Sequence, residues 1–179
     1  MLEITNKQIV EALIMTSTTP LSVERIHKIF IDKNNLLEIS TLREIIKDLS
    51  NDYADRGVEL KEVANGWRFQ SKASLNSWIS KLYEEHPPRY SKALMEILAL
   101  IAYRQPITKV EIEKVRGIGV NSNIIKTLLE YEWIKIIGHK DVPGRPVLFI
   151  TTKKFLDHFN LKCLDELPSL AEFTEDLSR

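Results

Sequence analysis

The chain has 179 residues, of which 44% are hydrophobic and 28% are charged, a composition typical of a folded protein and not of a disordered one. Lysine plus arginine and aspartate plus glutamate both total 25, so the formal net charge is zero and no global field attracts nucleic acid or anionic lipid. The single cysteine, Cys163, cannot form an internal disulfide, which excludes a secreted disulfide framework and fits a reducing compartment.

The sequence shows no signal for export or membrane insertion. The first residues lack the basic region and apolar run of a signal peptide. The most apolar stretch, from Leu94 to Tyr103, has about half the length that a membrane span requires. We therefore expect a cytoplasmic protein with no membrane segment.

The chain contains an internal repeat. Pro20-Leu21-Ser22 in the first half matches Pro106-Ile107-Thr108 in the second, and the apolar residues on both sides of these strings align as well. Such self-similarity indicates one structural unit that is used twice.

The first copy begins with three predicted helices, each with an apolar stripe at helical spacing. The stripes are formed by Ile9, Val10, Leu13 and Ile14, by Val23, Ile26, Ile29 and Phe30, and by Leu42, Ile45, Ile46 and Leu49. Ser22 is an N-cap for the second helix. The capping-box spacing of Thr41 and Glu44 predicts that the third helix starts near Ser40, and we expect it to end near Asp55.

A β-hairpin follows these helices. Apolar residues alternate with charged ones from Val58 to Val63, and the alternation resumes from Trp67 to Phe69. Asn65-Gly66 between the two runs is the strongest short signal for a hairpin turn. Three helices followed by a hairpin are typical of a winged helix.

The second copy repeats this order. Ser91 caps a predicted helix that runs through Ala102, and Thr108 with Glu111 forms a capping box for the next helix, which Gly117 ends. The remaining predicted elements are a helix from Asn121, a strand from Trp133, a loop from Gly138 to Pro146, a strand from Val147 to Ile150, and a helix from Lys153 to His158.

His86-Pro87-Pro88 separates the two copies, because no helix crosses such a segment. A short amphipathic helix with Leu75, Ile79 and Leu82 precedes it. The sequence thus predicts an α+β, mostly helical fold of two tandem winged-helix domains, at 1–86 and 87–160, followed by an acidic C-terminal tail at 161–179.

The charge pattern bears on the function of these domains, since winged helices most often bind DNA through the third helix and a basic wing. In the third helix of the first copy, Arg43 and Lys47 stand against four acidic residues, Glu44, Asp48, Asp52 and Asp55. In the second copy Lys126 stands against Glu130 and Glu132. Such faces repel phosphate, so we expect a protein partner and no sequence-specific DNA binding. A winged-helix transcriptional regulator is the alternative function.

No pattern of a catalytic or metal site is present in the sequence. The four histidines, at 27, 86, 139 and 158, are scattered, and none has ligand spacing to another histidine or to Cys163. Gly117-Ile-Gly119 lacks the third glycine and the preceding strand of a dinucleotide motif. We expect no enzymatic activity, no metal and no cofactor.

Four residues of the second copy are candidates for partner contact. Arg145 lies with Lys140 in the one locally basic wing, where it either grips a carboxylate or phosphate of a partner or closes the loop by an internal hydrogen bond. Arg104 and Gln105 precede Pro106, where they either cap the carbonyls of the helix end or face a partner. We favour the internal roles and keep all four residues as partner-binding candidates.

The string Leu98-Ala-Leu-Ile-Ala-Tyr-Arg-Gln-Pro-Ile-Thr108 resembles the signature of the segregation and condensation protein B (ScpB) family. Val142-Pro-Gly-Arg-Pro146 continues the resemblance in the right order, and Gly66-Trp67-Arg68-Phe69 extends it more loosely into the first domain. The family usually has an arginine where His139 stands and a glycine where Asn160 stands.

The resemblance implies an accessory subunit that forms a homodimer and binds the kleisin ScpA, which bridges the heads of an SMC ATPase. That complex acts in chromosome condensation and segregation during cell division, and its subunits associate with the nucleoid. The resemblance also implies that the first domain carries dimerisation, for which Ile9, Leu13 and Ile26 are the candidate residues. Both domains are expected to offer apolar surface to the kleisin.

Overall fold

The structure is a computed structural model that describes residues 4–33, 36–82 and 90–168. The described residues divide into two compact units. The N-terminal unit contains the described residues up to 82 together with 160–168, and the C-terminal unit contains residues 90–159.

The N-terminal unit has the predicted order of three helices and a hairpin. Its elements are α1 (Asn6–Thr16), α2 (Val23–Asp32), α3 (Ile39–Asp52), β1 (Val58–Val63) and β2 (Gly66–Ser71), followed by a 3-10 turn (Ala73–Leu75) and a short α4 (Asn76–Ile79). Thr5 caps α1 in a capping box with Gln8, and Ser22 caps α2 as predicted. α4 is short and has no fully buried residue; of the predicted apolar stripe, Leu75 and Ile79 are half-buried, whereas Leu82 beyond the helix is 76% exposed.

The three helices and the hairpin enclose one apolar core. It is formed by Val10, Ile14, Ile26, Phe30, Leu37, Leu42, Ile46, Leu49 and Leu60. The segment before α2 pairs with the hairpin at one residue. Leu21 and Trp67 form an isolated β-bridge, with backbone N–H···O bonds of 2.8 and 2.9 Å. Each helix buries one stripe here, as the helical spacing of the apolar residues predicts.

Two local predictions for this unit are wrong. α3 starts at Ile39 with Glu38 as its N-cap and no side-chain cap, so Thr41 and Glu44 form no capping box. The start itself lies one residue from the predicted Ser40. The helix ends at Asp52 and not near Asp55, because Tyr53 caps it and packs its ring 4.7 Å from that of Phe69.

The hairpin turn is also shifted by one residue from the prediction. Val63 pairs with Gly66, so the turn residues are Ala64 and Asn65. Gly66 lies in β2 with φ of 132°, and a Cβ there would lie 2.4 Å from the carbonyl carbon of Leu21. Glycine is therefore needed at this position, because a residue without a Cβ lets the backbone of Leu21 come this close to β2.

The C-terminal unit repeats the architecture with a fuller sheet. Its elements are α5 (Lys92–Arg104), β3 (Ile107–Thr108), α6 (Lys109–Arg116), α7 (Ser122–Glu130), β4 (Ile134–His139), β5 (Val147–Thr151) and α8 (Lys153–His158). The antiparallel sheet has the strand order β3-β5-β4. The predicted N-caps Ser91, Thr108 and Asn121 all accept a hydrogen bond from the first turn of their helices, and Gly117 ends α6 with φ of 71°.

The matching residues of the sequence repeat occupy equivalent positions in the two units. Leu21 and Ile107 both pair with the second strand of their hairpin, directly before the caps Ser22 and Thr108. The two units are therefore both winged helices, and the α+β, mostly helical fold class is confirmed.

The segment after α8 differs from the predicted tail. Residues 160–168 group with the N-terminal unit and include a 3-10 turn, Leu164–Glu166, so the boundary predicted after residue 160 falls before it. The rest of the predicted tail, 169–179, and the predicted linker His86-Pro87-Pro88 lie outside the described residues. Within the described ranges, no helix combines the length and apolarity needed to cross a bilayer.

Candidate partner-binding site

A groove of about 450 Å³ lies in the C-terminal unit, where the end of α5, β3 and one side of α6 meet. It is lined by Arg104, Pro106, Ile107, Glu111, Lys114 and Val115. Of the four candidate contact residues, Arg104 lines the groove and Lys140 contacts its lining residue Glu111. Gln105 and Arg145 do neither.

Gln105 holds the end of α5 against the sheet. Its Oε1 accepts hydrogen bonds from the backbone N–H of Thr151 at 2.6 Å and from the Thr151 hydroxyl at 3.0 Å, while its Nε2 donates to the Ala102 carbonyl at 3.2 Å. The bond to the Ala102 carbonyl is the helix-capping role favoured from the sequence. Both polar atoms of the Gln105 side chain are therefore engaged in internal hydrogen bonds.

A second tie fixes α6 against α5. The Arg116 guanidinium forms an ion pair with Glu96 at 2.9 Å, and its side chain is only 6% exposed. The bonds of Gln105 thus fix the end of α5 to β5, and the ion pair fixes α6 to α5. These two helices form the walls of the groove.

Arg104 takes part in neither of these two interactions. Its side chain is exposed on the groove and makes no hydrogen bond or ion pair with any described residue, so the capping role favoured from the sequence belongs to Gln105 alone. Lys114 is likewise exposed and without a charged partner among the described residues. Within the described ranges, the groove thus carries two positive charges that no acidic side chain pairs with.

Glu111 is the one acidic residue of the groove lining, and its charge is neutralised locally. Its Oε2 accepts bonds from the Thr108 backbone N–H at 2.9 Å and the Thr108 hydroxyl at 2.8 Å, which completes the predicted capping box. Its other oxygen pairs with the Lys140 ammonium group. The bond from Lys140, followed by those from Thr108, lowers the pKa of Glu111 to about 2, so the carboxylate stays ionised and paired at neutral pH.

The wing contacts the groove through Lys140 and not through Arg145. The loop is closed by main-chain bonds, from Lys140 N–H to the Pro146 carbonyl and from Arg145 N–H to the Val142 carbonyl, both 2.9 Å long. The Arg145 guanidinium is exposed and makes no hydrogen bond with the described residues, so the internal role favoured for it is not observed. No contact among the described residues brings Arg145 to the groove.

Exposed apolar side chains lie on α6 and directly after it. Val110 and Ile118 are each 61% exposed and Val115 is 43% exposed. Sequence reasoning missed Lys114 and Val115. Val115 lies three positions after Ile112, the one buried residue of α6, so its spacing is that of a core residue and does not reveal its exposure. Adjacent exposed apolar residues with a polar rim are typical of a protein interaction site.

The three candidate dimerisation residues of the N-terminal unit have different environments. Ile26 is 0% exposed in the core, so it has no surface to offer to a second chain. Ile9 and Leu13 on α1 are partly buried and pack against the same core while keeping some exposed surface. On the same helix, Met15 is 50% exposed.

The exposed faces of the third helices carry no excess of positive charge. On α3 the exposed charged residues are Arg43, Glu44, Lys47, Asp48 and Asp52. Asp52 is paired with Lys7 at 2.7 Å, and on α7 Lys126 is paired with Glu130 at 3.7 Å. Across the described ranges, no three His, Cys, Asp or Glu side chains are grouped to hold a metal ion.

Comparison with known proteins points to one family. The family model described as segregation and condensation complex subunit ScpB matches residues 8–170. A segregation and condensation protein B homolog of Coxiella burnetii is 49% identical over 175 residues, which are 98% of this chain and 83% of the relative. A segregation and condensation protein B of Syntrophotalea carbinolica is 36% identical over 171 residues, which are 94% and 84% of the two chains.

One solved structure that is similar to part of this chain carries the same family name. The crystal structure of a dimer of the ScpB N-terminal domain complexed with ScpA peptide has 22% sequence identity and a TM-score of 0.40. The match covers 48% of this chain and 99% of that chain.

Proposed function

Because the chain belongs to the ScpB family of segregation and condensation complex subunits, we propose that it is a non-enzymatic accessory subunit of an SMC–kleisin complex. In this role it is a cytoplasmic homodimer that binds the kleisin ScpA and, through it, the SMC ATPase. It acts in chromosome condensation and segregation during cell division, and it is associated with the nucleoid through the complex.

The observation that carries the proposal is the groove between α5 and α6. Its lining joins apolar surface from Pro106 and Val115, above the buried Ile107, with the cations of Arg104 and Lys114, which have no acidic partner among the described residues. The surface fits a peptide segment that has both apolar and acidic side chains. We therefore assign to the groove one contact with the kleisin, in which Arg104 binds a carboxylate.

The N-terminal unit supplies the dimer contact in this proposal. Ile9 and Leu13 form a partly exposed apolar surface of α1, while Ile26 stabilises the unit from its core. The homodimer then presents two copies of the groove to one flexible kleisin chain, which raises the effective concentration of the second contact.

Calorimetric titration of the full-length chain with purified ScpA tests the proposal. The double variant Arg104→Glu/Lys114→Glu is expected to weaken ScpA binding at least about tenfold, because like charges then face the acidic segment. The matched control, Lys126→Glu/Lys135→Glu, reverses two exposed charges of the same unit outside the groove lining and is expected to bind like the wild type.

Two results would count against the proposal in different ways. Unchanged affinity of the groove variant would place the kleisin contact elsewhere on the chain. Absence of any ScpA binding by the wild type, together with a monomeric mass in light scattering, would contradict the accessory function itself.

The regulator alternative has a separate test. The described faces of α3 and α7 offer no net positive charge, so we expect duplex DNA binding to be weak and without sequence preference. Gel-shift titrations at two salt concentrations measure this directly. Tight binding to one sequence, with a steep dependence on salt, would favour the regulator.

A further inference from the structure

The chain returns to the N-terminal unit after α8 and lies on the hairpin of that unit. Three successive residues, Asn160, Leu161 and Lys162, each make one contact with the hairpin. These contacts lie far from the groove in sequence and play no part in the proposed kleisin contact.

The three contacts are of different chemical kinds. The turn residue Ala64 donates its backbone N–H to the carbonyl of Leu161 at 3.0 Å. Arg68 on β2 donates to the side-chain oxygen of Asn160. Lys162 forms an ion pair with Glu62 on β1, and its hydrogen bond to that carboxylate raises the pKa of Lys162.

The returning segment is itself held in shape. Asn160 adopts a left-handed conformation with φ of 59°, which asparagine tolerates better than most residues and which redirects the chain after α8. The Lys162 backbone N–H donates to Glu166 at 2.8 Å, and a 3-10 turn follows at Leu164–Glu166. The contacts are therefore made by a defined structure.

We propose that residues 160–168 are a strap that completes the N-terminal winged helix by holding its wing, the β1–β2 hairpin. The strap contacts both strands and the turn near the tip of the wing, the same end of the hairpin at which Leu21 pairs with Trp67. The N-terminal domain is then discontinuous in sequence, with the C-terminal unit between its two parts.

Hydrogen exchange of the Ala64 amide tests the strap in the folded chain. A variant that ends at residue 159 loses all three contacts, and its Ala64 amide is expected to exchange about tenfold faster or more, since it loses its acceptor and two supporting bonds. The matched control ends at residue 168, keeps the strap, and is expected to exchange like the full chain. Equal exchange rates in all three chains would overturn the proposal.

A point variant in the full-length chain keeps the test valid if the truncated chain folds poorly. Asn160→Gly/Lys162→Gln removes the side-chain contacts, while glycine retains the left-handed backbone. Cys163 is exposed and is the only cysteine of the chain, so a nitroxide attached to it reports the mobility of the strap. We expect a more mobile label than in the wild type.

The control for this variant removes an ion pair of similar exposure in the other unit. Lys154→Gln breaks the pair between Lys154 and Glu132 and is expected to leave the label unchanged. If the double variant gives the same spectrum as this control, the side-chain contacts of Asn160 and Lys162 do not hold the strap, and the proposal fails.

Discussion

Gln105 and Thr151 are joined by two hydrogen bonds, although 46 residues separate them in the sequence. Thr151 is only 8% exposed, so its backbone N–H has little access to water and depends on the Gln105 side chain. This pair connects the end of α5 to the end of β5. It gives Gln105 a structural role, while its neighbour Arg104 faces the groove.

Gln105→Ala is expected to destabilise the C-terminal unit by about 1–3 kcal/mol, because it leaves the buried Thr151 N–H without an acceptor. Arg104→Ala is the matched control and is expected to change the free energy of unfolding by less than about 0.5 kcal/mol. Urea denaturation followed by tryptophan fluorescence measures both. If the two variants were equally stable, the bonds to Thr151 would contribute nothing to the fold.

Glu111→Gln tests the charge of the capping box. The pKa of Glu111 lies at about 2, below its ordinary value of 4.5. A lowered pKa gives stability that is present above pH 4.5 and is lost as the pH falls through 2. The wild type is therefore expected to exceed the variant by about 1 kcal/mol at neutral pH, a modest difference because the side chain is 38% exposed and water screens it.

The pH dependence distinguishes this charge effect from the loss of a cap. Gln8 occupies the same position in the capping box of α1, so a glutamine at residue 111 is expected to keep that geometry. The stability difference between wild type and variant should shrink between pH 4.5 and pH 2 in thermal unfolding experiments. A difference that is constant over this range would mean that the ion pair with Lys140 does not contribute.

Gly66→Ala is expected to destabilise the N-terminal unit by more than about 2 kcal/mol, since the added Cβ would meet backbone atoms of Leu21 at 2.4 Å. Gly119→Ala is the control, because a Cβ at that position has no atom within 4 Å. Chemical denaturation of both variants measures the effect. Near-wild-type stability of Gly66→Ala would contradict the close approach of Leu21 to β2.

Ile26→Ala and Leu13→Ala separate a core role from a dimer role. Ile26→Ala is expected to lower the free energy of unfolding by about 2–5 kcal/mol at every protein concentration, because it leaves a cavity in the core. Leu13→Ala is expected to shift the mass in light scattering toward the monomer, and this shift should depend on concentration. A dimer that is unaffected by Leu13→Ala would remove Leu13 from the interface.

The sequence by itself determined the elements and their order. Helix stripes, caps and stops each depend on residues only a few positions apart, so the sequence contains all the information needed to predict them. Examples are the caps Ser22, Thr108 and Asn121 and the helix stop at Gly117. The repeat then predicted two winged helices, and the string around Arg104 predicted the family.

Only the tertiary structure decided what individual side chains do. Folding brings together the partners in the bonds of Gln105 to Thr151, in the burial of Ile26 and in the pairing of Glu111 with Lys140. The same holds for the strap, where Ala64 meets Leu161. Periodicity reports which face of a helix is apolar, but the partner of a given polar group is set by packing between distant segments.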